Sequence, residues 1–227
     1  MTGTTAIRAF YSRRAALYDL IATAPGTGRW RRAAARRVAG RGATVVEMGC
    51  GTGANLPYLR EAVGPEGRVL GVDITGPLLG YARERAGRYD NVGVLRADAR
   101  RPPLEGADAV LGTFVCGLFS DPAAVVGRWC DLLKPGGRIG LLDASVSTAI
   151  AGRPLNPLFR AFVAAGSPTR GAGDVLAALC GAGDATLSRR IDAAREALTN
   201  RTRDRRYESF GLGFVGLSTG TIGGGAE

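Results

Sequence analysis

Histidine is absent from this 227-residue sequence. Its absence removes histidine general bases, Ser-His-Asp hydrolysis and the usual histidine-containing zinc sites from consideration. Cysteine is sparse: Cys50, Cys116, Cys130 and Cys180 are scattered without zinc-like spacing. They read as reduced thiols of a cytoplasmic protein, and no metal site is expected. No uncharged apolar run approaches the roughly 18 residues of a membrane span, and the first residues lack the apolar core of a secretion signal. There is no internal repeat, and no GxxxxGK[ST] loop for cradling a nucleoside triphosphate.

Acidic side chains are in the minority, 20 against 30 basic ones, for a formal net charge of +10. Every basic residue except Lys134 is arginine, and residues 1–41 hold nine arginines with one acid, Asp19. Such a leader suits contact with an anionic membrane surface, a nucleic acid or an acidic small molecule; a solvated helix face is the alternative. Apolar residues make up 45% of the chain, enough for one substantial core, so a single domain over 1–227 is expected.

The chain is organised around Thr44 to Gly53, TVVEMGCGTG. A β-branched run leads through Glu47 into a glycine-rich turn and a helix expected from Ala54. That arrangement presents unpaired N–H groups and admits a ligand close to the main chain. Gly49, Gly51 and Gly53 suit such a turn because they tolerate positive φ and carry no Cβ. A second strand, Arg68 to Ile74, places Asp73 at its end, where a carboxylate can accept both hydroxyls of a ribose lying over the first loop.

The run Glu47-Met48-Gly49-Cys50-Gly51-Thr52-Gly53 resembles the E/D-x-G-x-G-x-G loop of class I S-adenosylmethionine-dependent methyltransferases. A dinucleotide enzyme would more usually space its glycines GxGxxG. Lys134-Pro135-Gly136-Gly137 followed by Arg138-Ile139-Gly140-Leu141-Leu142-Asp143 is similar to a further element of that family, and the resemblance extends from Phe10 to about Asp143. It implies a doubly wound, seven-stranded, mostly parallel Rossmann-like sheet with an antiparallel last strand and small helical additions. Cofactor contacts are implied from the loop residues Glu47, Gly49, Cys50, Gly51, Thr52 and Gly53, from Asn55 at the following helix, and from Asp73 with Ile74. At the end of the third strand the match is Asp98, expected to accept the adenine amine, with the backbone of Ala99 against the ring.

Residues 6–22 place Phe10, Leu17 and Ile21 with Tyr11, Tyr18 and Ala22 on helical registers, one apolar and aromatic face opposite Arg13 and Arg14. Tyr11 with Tyr18-Asp19 looks like the leader of the menaquinone and ubiquinone C-methyltransferases and phospholipid N-methyltransferases, where it covers the cofactor; residues 1–41 would then be a helical lid. Core packing explains the same pattern. Further on, expected elements are a basic helix Arg29–Val38, helices over 54–62 and 76–87, strands over 92–95 and 107–112, a helix from Pro122 to Leu133 capped by Asp121, and a strand Arg138–Leu142. Thr113 and Phe114 open from the fourth strand toward Leu118, into the space where cofactor and acceptor should meet.

Residues 144–205 depart from strand-helix alternation and are read as a helical elaboration on the acceptor side. Leu155, Phe159 and Phe162, on an apolar helix over 155–165, are candidate acceptor contacts with Leu118; ordinary core residues are the alternative. Helices over 172–180 and 187–202, strands over 207–210 and 213–217, and a mobile glycine-rich tail from Gly220 complete the reading.

The reaction implied is in-line methyl transfer from S-adenosylmethionine to a small-molecule or lipid-like acceptor, with alignment as the main task of the protein. If a base is needed, Asp143 and Tyr11 are the candidates. The leader adds a candidate contact with an anionic membrane. RNA methylation is disfavoured, since NPPY and DPPY motifs and an appended RNA-binding module are missing, and a cofactor-binding protein without catalysis is the remaining alternative.

Overall fold

The computed structural model describes residues 15–166, 181 and 183–223. In chain order the elements are helices α1 (Ala15–Ala22) and α2 (Thr27–Val38), strand β1 (Thr44–Met48), α3 (Leu56–Val63), β2 (Arg68–Asp73), α4 (Gly76–Ala86), β3 (Val92–Arg96) and β4 (Ala107–Thr113). Then come α5 (Pro122–Asp131), β5 (Leu133–Ala144), α6 (Asn156–Gly166), α7 (Asp184–Arg201), β6 (Thr202–Phe210) and β7 (Val215–Ile222). The strands form one sheet in the order β3-β2-β1-β4-β5-β7-β6. Pairing is parallel from β3 to β5, while β7 runs antiparallel to both β5 and β6. The expected doubly wound sheet with an antiparallel last strand is therefore observed.

Side-chain alternation divides the interior into two layers. Val45, Leu111 and Leu142 face α2, α3 and α4, whereas Val46, Met48, Val110, Ile139 and Leu141 face α5 and α7. Helix α2, although five of its twelve residues are arginine, turns Arg31, Ala34, Ala35 and Val38 to the sheet at spacings of three, four and seven. Helix α5 starts as its sequence asks: the Asp121 carboxylate accepts the Ala124 N–H at 3.0 Å and Pro122 occupies the first turn. Its Trp129 is wholly buried, donates Nε1–H to the Ala99 carbonyl at 2.7 Å, and occupies space that a Cβ on Gly112 would invade at 2.6 Å.

Several boundaries move for identifiable reasons. The helix behind the glycine loop begins at Leu56 rather than Ala54, because a turn occupies 51–55. Strand β5 reaches back to Leu133, which pairs with Ala107 across a register shift. Helix α7 starts at Asp184, three residues before the expected Leu187. The tail expected to be mobile from Gly220 is strand through Ile222, with Gly220 opposite Ile139. Glycine is required in this strand by close approach: a Cβ at Gly220 would lie 2.6 Å from Thr202 Cβ, and one at Gly216 would lie 2.6 Å from the Arg195 guanidinium and 2.7 Å from the Tyr207 hydroxyl. Expectations for 6–14 and 172–180 lie outside the described residues.

Candidate functional site

At the carboxyl ends of β1 and β2 the glycine loop is fastened to its neighbour: the N–H groups of Gly49 and Cys50 both donate to the Val72 carbonyl, at 2.8 and 2.9 Å. Gly49, Gly51 and Gly53 all have positive φ. Gly53 is required sterically too, since a Cβ there would stand 2.8 Å from Leu56 Cδ1 and 3.0 Å from Ala82. Asp73 braces the turn, its Oδ2 accepting the Gly51 N–H at 3.0 Å and its Oδ1 the Thr75 N–H at 2.7 Å. Burial pushes its pKa above the ordinary range, against the lowering effect of those N–H groups. A carboxylate has about four lone-pair sites, so hydroxyl donors can still be accepted beside the half-buried Ile74.

Behind the loop lies a buried polar network. Arg31, 5% exposed, donates Nη1–H to Asn55 Oδ1 at 2.7 Å and Nη2–H to the Ala22 carbonyl at 2.8 Å. Asn55 Nδ2 in turn donates to Glu47 Oε1 and, at 3.0 Å, to Thr113 Oγ1. Asn55 therefore links three elements and makes no helix-capping bond. Burial lifts the Glu47 pKa to about 7, although Asn55 and the Arg31 charge pull the other way. Among the described residues Glu47 Oε2 and Arg31 Nε have no hydrogen-bond partner. Together with Tyr18, Gly49, Cys50, Thr52, Thr113 and Phe114, these side chains line one recess.

Phe114 closes one wall. Its φ of 54° is unusual for a bulky side chain; the Phe114 N–H donates to the Leu142 carbonyl at 2.7 Å, and its ring meets Trp30 edge-on at 6.4 Å with the Arg31 guanidinium 5.9 Å away. Tyr18 closes another, lying so near the loop that a Cβ on Gly51 would be 3.1 Å from its ring. Helix α1 is held there by Arg85, which donates to the Thr52 carbonyl at 2.6 Å and to Asp19 Oδ2 at 2.9 Å. Although burial opposes it, bonding to Arg85 and Thr52 holds the Asp19 carboxyl below its usual pKa. Replacing Arg85 by methionine should loosen α1 and speed ligand departure from the recess about fivefold to tenfold, with a smaller change in arrival; stopped-flow fluorescence would measure both rates.

Arg31 and Arg85 were not singled out from the sequence. For Arg31 a signal existed, since it shares its helix face with Ala34, Ala35 and Val38, an unusual place for an unneeded charge. Asp98 lies at the end of β3, but its carboxylate is already gripped by Arg100 through Nε at 3.0 Å and Nη2 at 2.6 Å, which holds its pKa low. An adenine amine would share that carboxylate rather than have it alone. The Ala99 carbonyl is committed to Trp129.

The expectation that Asp143 acts as a base at the acceptor needs correction. Period-two alternation puts it with Ile139 and Leu141 under α7, on the opposite face from Glu47 and Thr113. It is 2% exposed there, with Cys116 and Arg195 as its electrostatic neighbours. The candidate acceptor residues also separate: Leu118 is partly exposed after β4, Leu155 is exposed in a 3-10 turn over Arg153–Leu155, and Phe159 stacks on Phe214 at 5.1 Å. Leu155 and Leu158 are thus surface residues, against the core alternative. Tyr11 and the Phe162 side chain lie outside the described residues.

Residues 45–137 match the family described as "Methyltransferase domain". Among curated proteins, the chain is similar to nocamycin O-methyltransferase of Saccharothrix syringae, 37% identical over 52% of this chain and 43% of the relative. Aklanonic acid methyltransferase of Streptomyces sp. (strain C5) is 34% identical over 43% of this chain and 46% of the relative. Demethylmenaquinone methyltransferase of Staphylococcus aureus is 30% identical over 54% and 52%. The chain spans about half the length of the curated relatives it matches. Among solved structures, a SAM-dependent methyltransferase from Aquifex aeolicus superposes with a TM-score of 0.53 at 18% identity, covering 98% of this chain and 99% of that one. A SAM-dependent O-methyltransferase from Thermotoga maritima gives 0.56 at 14%, over 88% and 66%. Both show the fold.

Over residues 45–137 the chain is thus similar to methyltransferases, and S-adenosylmethionine is the cofactor against which the recess can be compared. The residues present suit that molecule's zwitterionic end: the buried, unmatched Oε2 of Glu47 would accept from its ammonium group, and Arg31 would supply a cation for its carboxylate.

Proposed function

We infer that the chain transfers the methyl group of S-adenosylmethionine to a small or lipid-like acceptor. The observation that carries this reading is the Arg31–Asn55–Glu47 network beneath a glycine loop braced by Asp73. The cofactor supplies an activated methyl group on a sulfonium. Glu47 and Arg31 would hold its amino-acid end, Asp73 its ribose, and the Gly49–Gly53 main chain would let it lie close. Tyr18 and Phe114 would wall the donor off from water, leaving the protein chiefly the work of alignment.

Among the described residues lining the recess, Asn55 and Thr113 are not bases, and the free Oε2 of Glu47 is the oxygen that would take the ammonium group of the cofactor, so none of the three is assigned to deprotonating the acceptor. That lining suits an acceptor already nucleophilic at neutral pH, such as a neutral amine or an acidic phenol or enol present as its anion. The relatives named for nocamycin, aklanonic acid and demethylmenaquinone support a small or lipid-like acceptor over a polymer. Three of the five arginines of α2 are already paired, Arg32 and Arg36 with Glu61 and Arg37 with Glu208, which leaves that helix less to offer nucleic acid. Of the basic leader over 1–41, the candidate membrane contact, residues 1–14 lie outside the described residues.

Isothermal titration should give micromolar binding of S-adenosylmethionine or its demethylated product, about 8 kcal/mol. Radiolabelled methyl transfer to a lipid extract, a panel of quinols and phenols, and soluble amines would then identify the acceptor class. Absence of cofactor binding at roughly 1 mM would end this reading, while salt-sensitive binding and labelling of RNA would replace the acceptor assigned here.

A further inference from the structure

Two segments meet beyond the carboxyl end of β5. The Ser147 hydroxyl donates to the Leu212 carbonyl at 2.6 Å, the Ser145 N–H to the Phe214 carbonyl at 3.0 Å, and Phe159 stacks on Phe214. From this joined surface project Ile150, 87% exposed, Leu158, 69%, and Leu212, 53%, with Leu155 beside them. None of the four finishes a core. Leu212 is held out at a cost: it sits at φ 57°, ψ 28°, between Gly211 and Gly213, themselves at positive φ. A leucine in that conformation is strained where glycine would not be, and the side chain gains little burial in return. Backbone strain that displays an apolar group is an observation that asks for a function.

Among the described residues, the charge left unpaired in these two segments is cationic. Residues 144–166 contain Arg153 and Arg160 and no acid, and residues 211–223 contain no charged residue. Arg160 is paired with Asp184, while Arg153 is exposed and held by its Nε–H on the Thr148 carbonyl.

We propose that this surface, Ile150, Leu155, Leu158 and Leu212 with Arg153, docks the protein on an anionic lipid bilayer. Four aliphatic side chains fall well short of the roughly 20 to 30 residues a side of a stable protein interface, and among them no aromatic anchor projects. Isolated aliphatic groups can enter the acyl boundary singly, while the exposed Arg153, on a chain of net charge +10, suits anionic headgroups. The surface borders the helix that carries Phe159, so a bilayer held there would present a lipid-like acceptor to the side of the sheet where the site opens. The docking itself does not depend on methyl transfer.

Flotation with phosphatidylcholine vesicles, with and without phosphatidylglycerol, tests it. The intact chain should float with the anionic vesicles and much less with the neutral ones. The triple variant Ile150→Ser, Leu158→Ser, Leu212→Gly should lower the partition coefficient at least about tenfold and leave S-adenosylmethionine titration unchanged. Leu212→Gly alone should weaken partition while keeping or raising the melting temperature, which separates lost docking from lost folding. Failure of the intact chain to float with anionic vesicles, or equal flotation of the triple variant, would overturn the proposal. So would a dimer in sedimentation velocity that the triple variant abolishes, since the surface would then join two copies. Each outcome is read independently of cofactor binding, so the methyltransferase assignment stands or falls separately.

Discussion

Replacing Arg31 by methionine is expected to weaken S-adenosylmethionine binding about 100-fold, close to 2.7 kcal/mol, the scale of one charge-assisted pair in a site shielded from water. The side chain is buried, its Nη1 and Nη2 donate to Asn55 and the Ala22 carbonyl while Nε is unpartnered, and it is the only cation among the described residues lining the recess. Methionine keeps much of the volume but leaves Asn55 Oδ1 and the Ala22 carbonyl without their donor, so the fold should lose about 2 kcal/mol as well. Glu47 would respond too. Burial raises its pKa and Arg31 is one of the influences lowering it, so without Arg31 the carboxyl should hold its proton more firmly at neutral pH and attract an ammonium group less. Arg31→Lys should fall between, retaining charge while losing the planar fork. Titration calorimetry beside urea denaturation separates the two effects. A methionine variant with unchanged affinity and a large stability loss would make Arg31 a structural cation alone.

The glycine loop could be read from the sequence because everything that defines it is local: a β-branched run, three glycines that must take positive φ, and a carboxylate one strand later. Arg31 is 16 residues before Glu47 and meets it through Asn55, so its role exists only after α2 and α3 pack on the same face of the sheet. In the sequence it is one of nine arginines in a basic leader, and charge composition drew attention away from its place on the apolar stripe. Asp143 illustrates the opposite error. Its position at a strand end was correct, but a strand end has two faces, and the alternation of Ile139 and Leu141 already assigned it to the one under α7. The end of the run from Val215 to Ile222 was misread for want of side chains: two of its eight residues are glycine because Arg195, Tyr207 and Thr202 fill the space where a Cβ would stand. Leu212 carried no sequence signal, since a lone leucine between glycines reads as an ordinary turn.

Asp143 and Glu47 together predict an inverted pH profile for the free protein. Burial raises both carboxyls to about 7, opposed by Arg195 in the first case and by Asn55 and Arg31 in the second. Unfolded, they titrate near 4, so between about pH 4 and 7 the folded chain binds protons that the unfolded chain has released. Stability must therefore fall as pH rises through that window, and level off above it. The full cost is at most about 4 kcal/mol for a three-unit shift, and roughly 2 kcal/mol per group should appear between about pH 5.5 and 8. The absence of histidine makes this measurable, since no other side-chain type ordinarily changes charge there. Urea denaturation across that range should show greatest stability at the acid end. Asp143→Asn should remove about half of the slope and stabilise the chain at pH 8 by about 2 kcal/mol, while leaving cofactor affinity nearly unchanged, because Asp143 faces away from the recess. Glu47 should behave differently: a bound ammonium group favours its ionised form, so cofactor binding near pH 6 should release close to one proton, seen as a binding enthalpy that changes with the ionisation enthalpy of the buffer. A slope that vanishes in Asp143→Asn, with no proton released on binding, would show that Glu47 is ionised in the free protein. A profile rising from pH 5.5 to 8 would contradict the burial of both carboxyls.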